Sequence, residues 1–233
     1  MIKKIFTASL VGGFGYILYE FFMNFHQKFK LPDVSSHYIN NGPKELGAAN
    51  IVTSVVVTYR GLDTLGEVTV LFAAAAVVGL LIKLSNPGDD TGRGASELLV
   101  TGASLLFPLI VLMGVYVFVN GHLTPGGGFQ GGAIIASGVM LLALAKPHRH
   151  ISHSLLAFIE SISGVTYVSV GVLGIILAGG FLDNRLLSLG QYGTLLSGGL
   201  IPVIYSIIGL KVGAELSTVV VNMGLKAAEK EDN

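Results

Sequence analysis

Long apolar runs alternate with short polar stretches along the whole chain, and several runs reach the length of a membrane crossing. Leu98 to Val119 is 22 residues without a charge, enough for a hydrocarbon core of about 30 Å at about 1.5 Å per helical residue. Comparable runs cover Ile5 to Phe22, Thr64 to Ile82, the GGAIIASGVMLLALA stretch from Gly131, Leu155 to Gly180, and Tyr192 to Val221. This pattern predicts an all-α, polytopic membrane protein with about six transmembrane helices. Ile51 to Tyr59 is too short and too β-branched to cross alone. It is expected to form an interfacial or re-entrant segment that bends through Arg60 and Gly61 into a helix capped by Asp63 or Thr64. Asn24 to Gly47, with Pro32 and Pro43, shows no helical or strand period and is expected to be an external loop. At the start, Lys3 and Lys4 precede an apolar run as in a signal peptide. The length of that run, and Glu20, Phe21 and Phe22 where small residues would mark cleavage, predict a retained first helix whose Gly12, Gly13 and Gly15 offer a close-packing face.

The densest glycine cluster, GHLTPGGGFQGG from Gly121 to Gly132, lies between two crossings. Pro125 fixes φ and removes a donor, while Gly126, Gly127, Gly128 and Gly131 let the chain turn and return against its neighbour. Gly128 and Gly132 have the small-xxx-small spacing of closely packed membrane helices. A phosphate-binding loop is the competing reading, but it needs a Lys and a Ser or Thr on the following helix. Ala133, Ile134 and Ile135 occupy those positions, so a hairpin turn is the better account.

Charges inside apolar runs carry the candidate chemistry, because each costs at least about 2.5 kcal/mol on insertion scales unless it is paired or lines a polar path. Arg60, Asp63 and Glu67 are spaced to share a helical face, either as a cap and boundary ion pair or as the edge of an ion path. Glu160 is expected within its span beside Ser161, Ser163 and Thr166. It either faces a hydrated path or stabilises a helix N-terminus through the dipole. Lys211 and Glu215, at i and i+4, form a local pair or part of a conducting route, and Pro202 before them is expected to loosen their helix. Three histidines, His148, His150 and His153, invite a metal site, yet they lack acidic or cysteine companions. A basic membrane-edge loop explains them better.

Composition narrows the classes further. Of 233 residues 52% are hydrophobic and 12% charged, with a mean hydropathy of +0.72, far from the roughly 25% charge of ordinary soluble domains. Zero formal net charge offers no basic face for nucleic acid, and the absence of cysteine excludes disulfides, iron–sulfur ligation and thiol chemistry in this chain. No nucleophile–base–acid grouping is visible, so no cofactor and no active site is expected here.

The Gly121 to Gly132 segment, with Pro108 in the helix before it, resembles the small B subunit of multisubunit Mrp-type Na⁺/H⁺ antiporters. GLKVGAELST, Gly209 to Thr218, is similar to the last helix of that small protein. Gly47 to Val70, with YRGLDTLGEV at its centre, resembles the C-terminal tail of the large A subunit, a piece that is a separate small protein in membrane-bound hydrogenases and their sulfur-reducing relatives. The resemblance implies two consecutive regions, residues 1–90 like the A tail and residues 91–233 a four-helix, B-like region, joined by the turn-rich linker between Lys83 and Glu97. It strengthens the path reading of Glu67, which belongs to the matching motif. It implies other membrane subunits of an Mrp-like module as partners, Na⁺ and H⁺ as the transported ions, and iron–sulfur or nickel–iron centres only in redox partner subunits.

Three functions therefore compete: a free-standing antiporter subunit, the same module inside a hydrogenase or sulfur reductase, and a purely structural assembly subunit. In full-length antiporters the A tail belongs to the large subunit, whereas here it joins the B-like piece, which favours the redox complexes. Eight loop cations, Lys3, Lys4, Lys83, Arg93, Lys146, Arg149, Lys226 and Lys230, fall on one side. Four, Lys28, Lys30, Lys44 and Arg185, fall on the other. That bias predicts a multi-pass protein of the cytoplasmic membrane with both termini inside and the hairpin outside.

Overall fold

The computed structural model describes residues 2–24, 31–84, 95–146 and 151–228, and leaves the side chains of 2, 83, 84 and 224–228 undescribed. The chain divides into two compact units, Met1–His37 and Tyr38–Asn233. In the first, α1 (Ile2–Met23) carries apolar side chains on all its faces. Helix α2 (Asp33–Leu46) runs from the first unit into the second, where α3 (Ile51–Ser54), a π-helical turn (Val55–Tyr59), α4 (Gly61–Leu84), α5 (Glu97–Val119), α6 (Gly128–Ala145), α7 (His153–Ala178), a 3₁₀ turn (Asn184–Leu186) and α8 (Ile201–Ala228) follow. Among the described residues there is no strand, and six helices, α1 and α4 to α8, are long and apolar enough to cross a membrane.

Helix α8 is the axis of the second unit, with 56% of its apolar window buried inside the chain against 11% for α4 and α5. Its partner α6 is reduced to a thin slab by glycine. A Cβ at Gly128 would lie 2.6 Å from Ile208, and one at Gly132 would lie 2.8 Å from the carbonyl of Gly209 and the amide nitrogen of Gly213. On the other face of α6, a Cβ at Gly131 would meet Phe118 of α5 at 2.9 Å, and one at Gly138 would reach Ile110 at 3.0 Å. The small-xxx-small pair thus works against α8, while Gly131 and Gly138 set the approach to α5. With lipid outside as apolar as the side chains, such backbone proximity is what holds membrane helices together.

Three local readings change. The expected loop before Gly47 contains α2, 14 residues long, with Asp33 in its first turn and Lys44 in its last, the polarity that complements the helix dipole. Pro43 sits near its end, and Gly47 at φ +65° stops it, its N–H donating to the Pro43 carbonyl at 3.1 Å. The prolines masked this helix because they flank and close it. Second, α4 begins at Gly61 and is not capped by Asp63 or Thr64. The Thr64 hydroxyl instead donates to the Val56 carbonyl at 2.7 Å, inside the π-helical turn. Third, the last span begins at Ile201 and not near Tyr192, because residues 187–200 form irregular turns rich in positive-φ glycines. Pro202 therefore sits in the first helical turn, where its missing N–H leaves no bond unmade, and it does not loosen the helix. The turn-rich linker between Lys83 and Glu97 lies largely outside the described residues.

At one end, polar side chains clamp the connections together. Asn50 Nδ2 donates to the carbonyls of Gly121 and Thr124 at 2.9 and 3.0 Å. The Thr53 hydroxyl donates to Gly121 at 2.7 Å and accepts from Tyr205 at 3.1 Å. Asn184 donates to the Leu46 carbonyl and accepts from the Leu200 amide, at 2.8 and 2.6 Å. His122 is fully buried beneath Gly198, its Nε2–H directed at the Thr194 carbonyl 3.3 Å away. Each buried group so satisfied avoids a desolvation penalty of about 1–3 kcal/mol.

Gly128→Val should introduce overpacking of about 1–3 kcal/mol or more against Ile208 and lower the yield of folded protein. Gly102→Ala on α5, where a new Cβ meets nothing within 4 Å, should be neutral or stabilising by about 0.5–1 kcal/mol. Thermal melts of the two variants in detergent check this, and equal melting temperatures would contradict it. Burial pushes the His122 imidazole below its ordinary 6.5, against the opposing pull of the Thr194, Val119 and Leu195 carbonyls. Its stabilising contribution is therefore complete above pH 6.5 and lost as pH falls through the lower folded value. His122→Gln should flatten the acid limb of stability against pH below about 6.5.

Candidate functional site

The charges inside the spans separate into two groups. Arg60 and Asp63 form an exposed ion pair where α4 begins, with Nε to Oδ2 at 2.5 Å and side chains 63% and 53% exposed. Glu67, the seventh residue of α4, is also exposed. An exposed pair of this kind contributes at most about 1 kcal/mol.

The second group is buried. Lys211 Nζ and Glu215 Oε1 form an ion pair one turn apart on α8, and both side chains are withdrawn from the surface. The Lys211 ammonium lies 5.1 Å above the centre of the Phe72 ring of α4. Gly164 of α7 lies beside it, at a distance where even a Cβ would make only an ordinary contact, 3.9 Å from Nζ. Glu215 is 1% exposed, and its second oxygen, Oε2, has no hydrogen-bond partner among the described residues.

Glu160 joins this group across a cavity of about 360 Å³ between α4, α7 and α8. Glu215, Thr218 and Asn222 line it from α8, Glu160 from α7, and Phe72, Ala76 and Gly79 from α4. Helix α7 starts at His153, with no acidic residue in its first turn. Glu160 is thus about 10 Å along the helix at about 1.5 Å per residue, beyond the reach of the terminal dipole. Of the oxygens expected beside it, Ser161 is exposed, Ser163 is buried, and the Thr166 hydroxyl donates to the Ile162 carbonyl at 2.7 Å. The hydroxyl and amide that do share the cavity, Thr218 and Asn222, were missed by sequence reasoning. With Lys211 and Glu215 they continue a 4-3-4 spacing down one face of α8, a polar stripe in an otherwise apolar helix that could have revealed them.

The hairpin residues lie at the clamped end, away from these charges on α8. Pro125 is exposed at its tip, and Gly126 nests against Val117, a Cβ there lying 2.9 Å from the Val117 carbonyl. Gly127 packs on Tyr205, and Gly128, Gly131 and Gly132 face their neighbouring helices as described above. His148 and His150 lie outside the described residues, and His153 is the first residue of α7.

Comparison with known proteins places this architecture. Residues 98–218 match the model of a domain related to the MnhB subunit of the Na⁺/H⁺ antiporter, and residues 3–95 match MbhE, the E subunit of MBH. In the structure of the membrane-bound sulfane sulfur reductase, an archaeal respiratory membrane complex, one chain is 42% identical with a TM-score of 0.81, covering 96% of this chain and 98% of that one. A chain of the Mrp complex from Dietzia sp. is 25% identical with a TM-score of 0.77 over 95% of this chain, which spans only 26% of its length. An uncharacterized protein of Methanocaldococcus jannaschii is 33% identical over 195 residues, 72% of this chain and 74% of that protein. The chain belongs to the family of membrane proteins related to the MnhB subunit of Na⁺/H⁺ antiporters.

Proposed function

We propose that the chain is a non-catalytic subunit of an Mrp-like cation and proton transport module, built into an ion-pumping respiratory complex. The observation that carries this reading is the buried Lys211–Glu215 pair opening through Glu215 onto the cavity that Glu160 shares. Desolvating two ions costs several kcal/mol each, and a hydrophobic pair of similar volume would often be as stable. Retention of both charges next to a cavity that Glu160, Thr218 and Asn222 also line therefore fits a transport role better than a scaffold. Glutamates exchange protons or hold a cation, and Lys211 offers Glu215 an alternative charge partner. The exposed Glu67, Asp63 and Arg60 form the edge of this route, facing neighbouring subunits. The covering by a near full-length chain of the sulfur reductase supports a redox parent complex, with iron–sulfur or nickel–iron centres held by other subunits. A free-standing Na⁺/H⁺ antiporter is the second reading, favoured by the likeness to the Mrp complex, and a metal-free parent complex with antiport intact would select it.

Glu160→Gln keeps size and hydrogen bonding while removing the charge, so Na⁺-dependent proton movement in vesicles should fall at least tenfold with assembly unchanged. Glu215→Gln alone should lower complex yield, because it strands the Lys211 ammonium at a penalty of about 3–5 kcal/mol. The double variant Lys211→Met/Glu215→Leu should restore yield but not transport. Wild-type transport in the double variant would leave only a structural role for the pair.

The same reading places both termini in the cytoplasm and the hairpin outside, from the excess of loop cations on one side. The chain has no cysteine, so single replacements report cleanly. Tyr192→Cys, exposed on the turns that hold Thr194 against His122, should react with an impermeant maleimide from outside intact cells. His153→Cys at the opposite end of α7 should react only after lysis, and the reverse pattern would invert the orientation.

A further inference from the structure

We infer that the cavity between α4, α7 and α8 is a discrete binding site for one partly hydrated alkali cation, Na⁺ in the working protein, held by Glu215, Glu160, Thr218 and Asn222. The inference rests on the transport reading above and names the ligand and the residues that hold it. The unpartnered oxygen is the first argument. Glu215 is 1% exposed, its Oε1 is taken by Lys211, and its Oε2 has no partner among the described residues although Glu215 lines the cavity. A buried carboxylate oxygen left unmatched carries a large desolvation penalty, which a cation on the cavity side removes.

Charge is the second argument. Lys211 supplies one positive charge and Glu215 and Glu160 one negative charge each, so the cluster keeps one net negative charge. That balance suits one monovalent ion. The third is donor chemistry. Carboxylates, a hydroxyl and an amide carbonyl are hard oxygen ligands of the kind that bind ions such as Na⁺. The Thr218 hydroxyl already donates its hydrogen to the Ala214 carbonyl at 2.9 Å, which leaves its lone pairs to accept a cation. Asn222 stands beside Gly79 of α4 and brings its amide to the cavity. The fourth is size. At about 30 Å³ per water, a cavity of about 360 Å³ has room for a cation together with the waters that complete its coordination beside the protein oxygens. Lys211, kept over the Phe72 ring, holds one oxygen of Glu215 and prevents a second cation from entering.

The test is equilibrium binding of ²²Na⁺ to the purified parent complex in choline buffer, with Na⁺ counted per complex. Glu160→Gln and Asn222→Leu keep side-chain size at half-buried positions, and each should bind one Na⁺ fewer at concentrations that saturate the wild type. Thr218→Val should lower affinity about tenfold without changing transport-independent properties such as yield. Unchanged stoichiometry and affinity in all three variants would overturn the site. Lost transport with unchanged Na⁺ stoichiometry would also overturn it while keeping the transport reading. One Na⁺ fewer with undiminished transport would keep the site and remove the transport reading.

Discussion

The close backbone contact of α6 with α8 is the constraint from which the rest of the second unit follows. A Cβ at Gly128 or Gly132 would sit inside van der Waals distance of Ile208, Gly209 and Gly213, so any larger residue moves the helices apart. Helix α5 reaches the pair only because Gly131, on the other face of α6, is equally bare toward Phe118. In lipid there is no hydrophobic drive to hold apolar helices together, so this proximity supplies the dispersion contact that a soluble core draws from water exclusion. Helix α8, fixed in this way, becomes the surface on which α4 and α7 pack.

What α8 then presents to α4 and α7 is polar. Lys211, Glu215, Thr218 and Asn222 follow one face, and across from it stand Glu160 of α7 and Phe72, Ala76, Gly79 and Leu80 of α4. An apolar stripe at these positions would have packed more tightly. The cavity exists because short side chains on α4 stand opposite charged and amide side chains on α8. Rigidity comes from the other end, where Asn50, Thr53, His122 and Asn184 tie the α2–α3, α5–α6 and α7–α8 connections by side-chain bonds to backbone carbonyls. The charged groups thus hang from a fixed frame, which holds the spacing between them.

The spans were legible because a membrane crossing needs about 20 apolar residues and nothing else produces such runs at this density. The glycine hairpin and the Lys211–Glu215 pair were legible for a related reason, since glycine clusters and charges are conspicuous against leucine and valine. Helix α2 was not, because its 14 residues are mostly polar and include Pro43 in the last turn, so its only signals were Asp33 and Lys44 at opposite ends. The start of α8 was missed because Tyr192, Leu195, Leu196 and Leu200 look like helix yet alternate with Gly190, Gly193, Gly198 and Gly199, all at positive φ. Asn50 and Asn184 were invisible as well, whereas Thr218 and Asn222 could be found only through the stripe they continue below Lys211 and Glu215. An amide or hydroxyl acquires meaning only from a distant carbonyl or cavity, and such a partner leaves no local pattern.

The placement of the cavity also bears on why the two parts share a chain. Helix α4, which supplies Phe72, Ala76 and Gly79, lies in the stretch matching MbhE, whereas Glu160, Glu215 and Thr218 lie in the stretch matching the MnhB-related domain. Neither stretch encloses the cavity by itself. Lys211 makes the same point, because its ammonium is held between Phe72 of the first part and Glu215 of the second. In separate proteins, this alignment would depend on association, and each encounter would carry the loss of translational and rotational freedom. Joining them makes the meeting of α4 and α8 intramolecular, so the buried lysine finds its ring and its carboxylate in one folding event. The desolvated charges set the demand for that register, since an ammonium moved one helical turn along α8, to the place of Ile207 or Ile208, would be buried among apolar side chains without a partner.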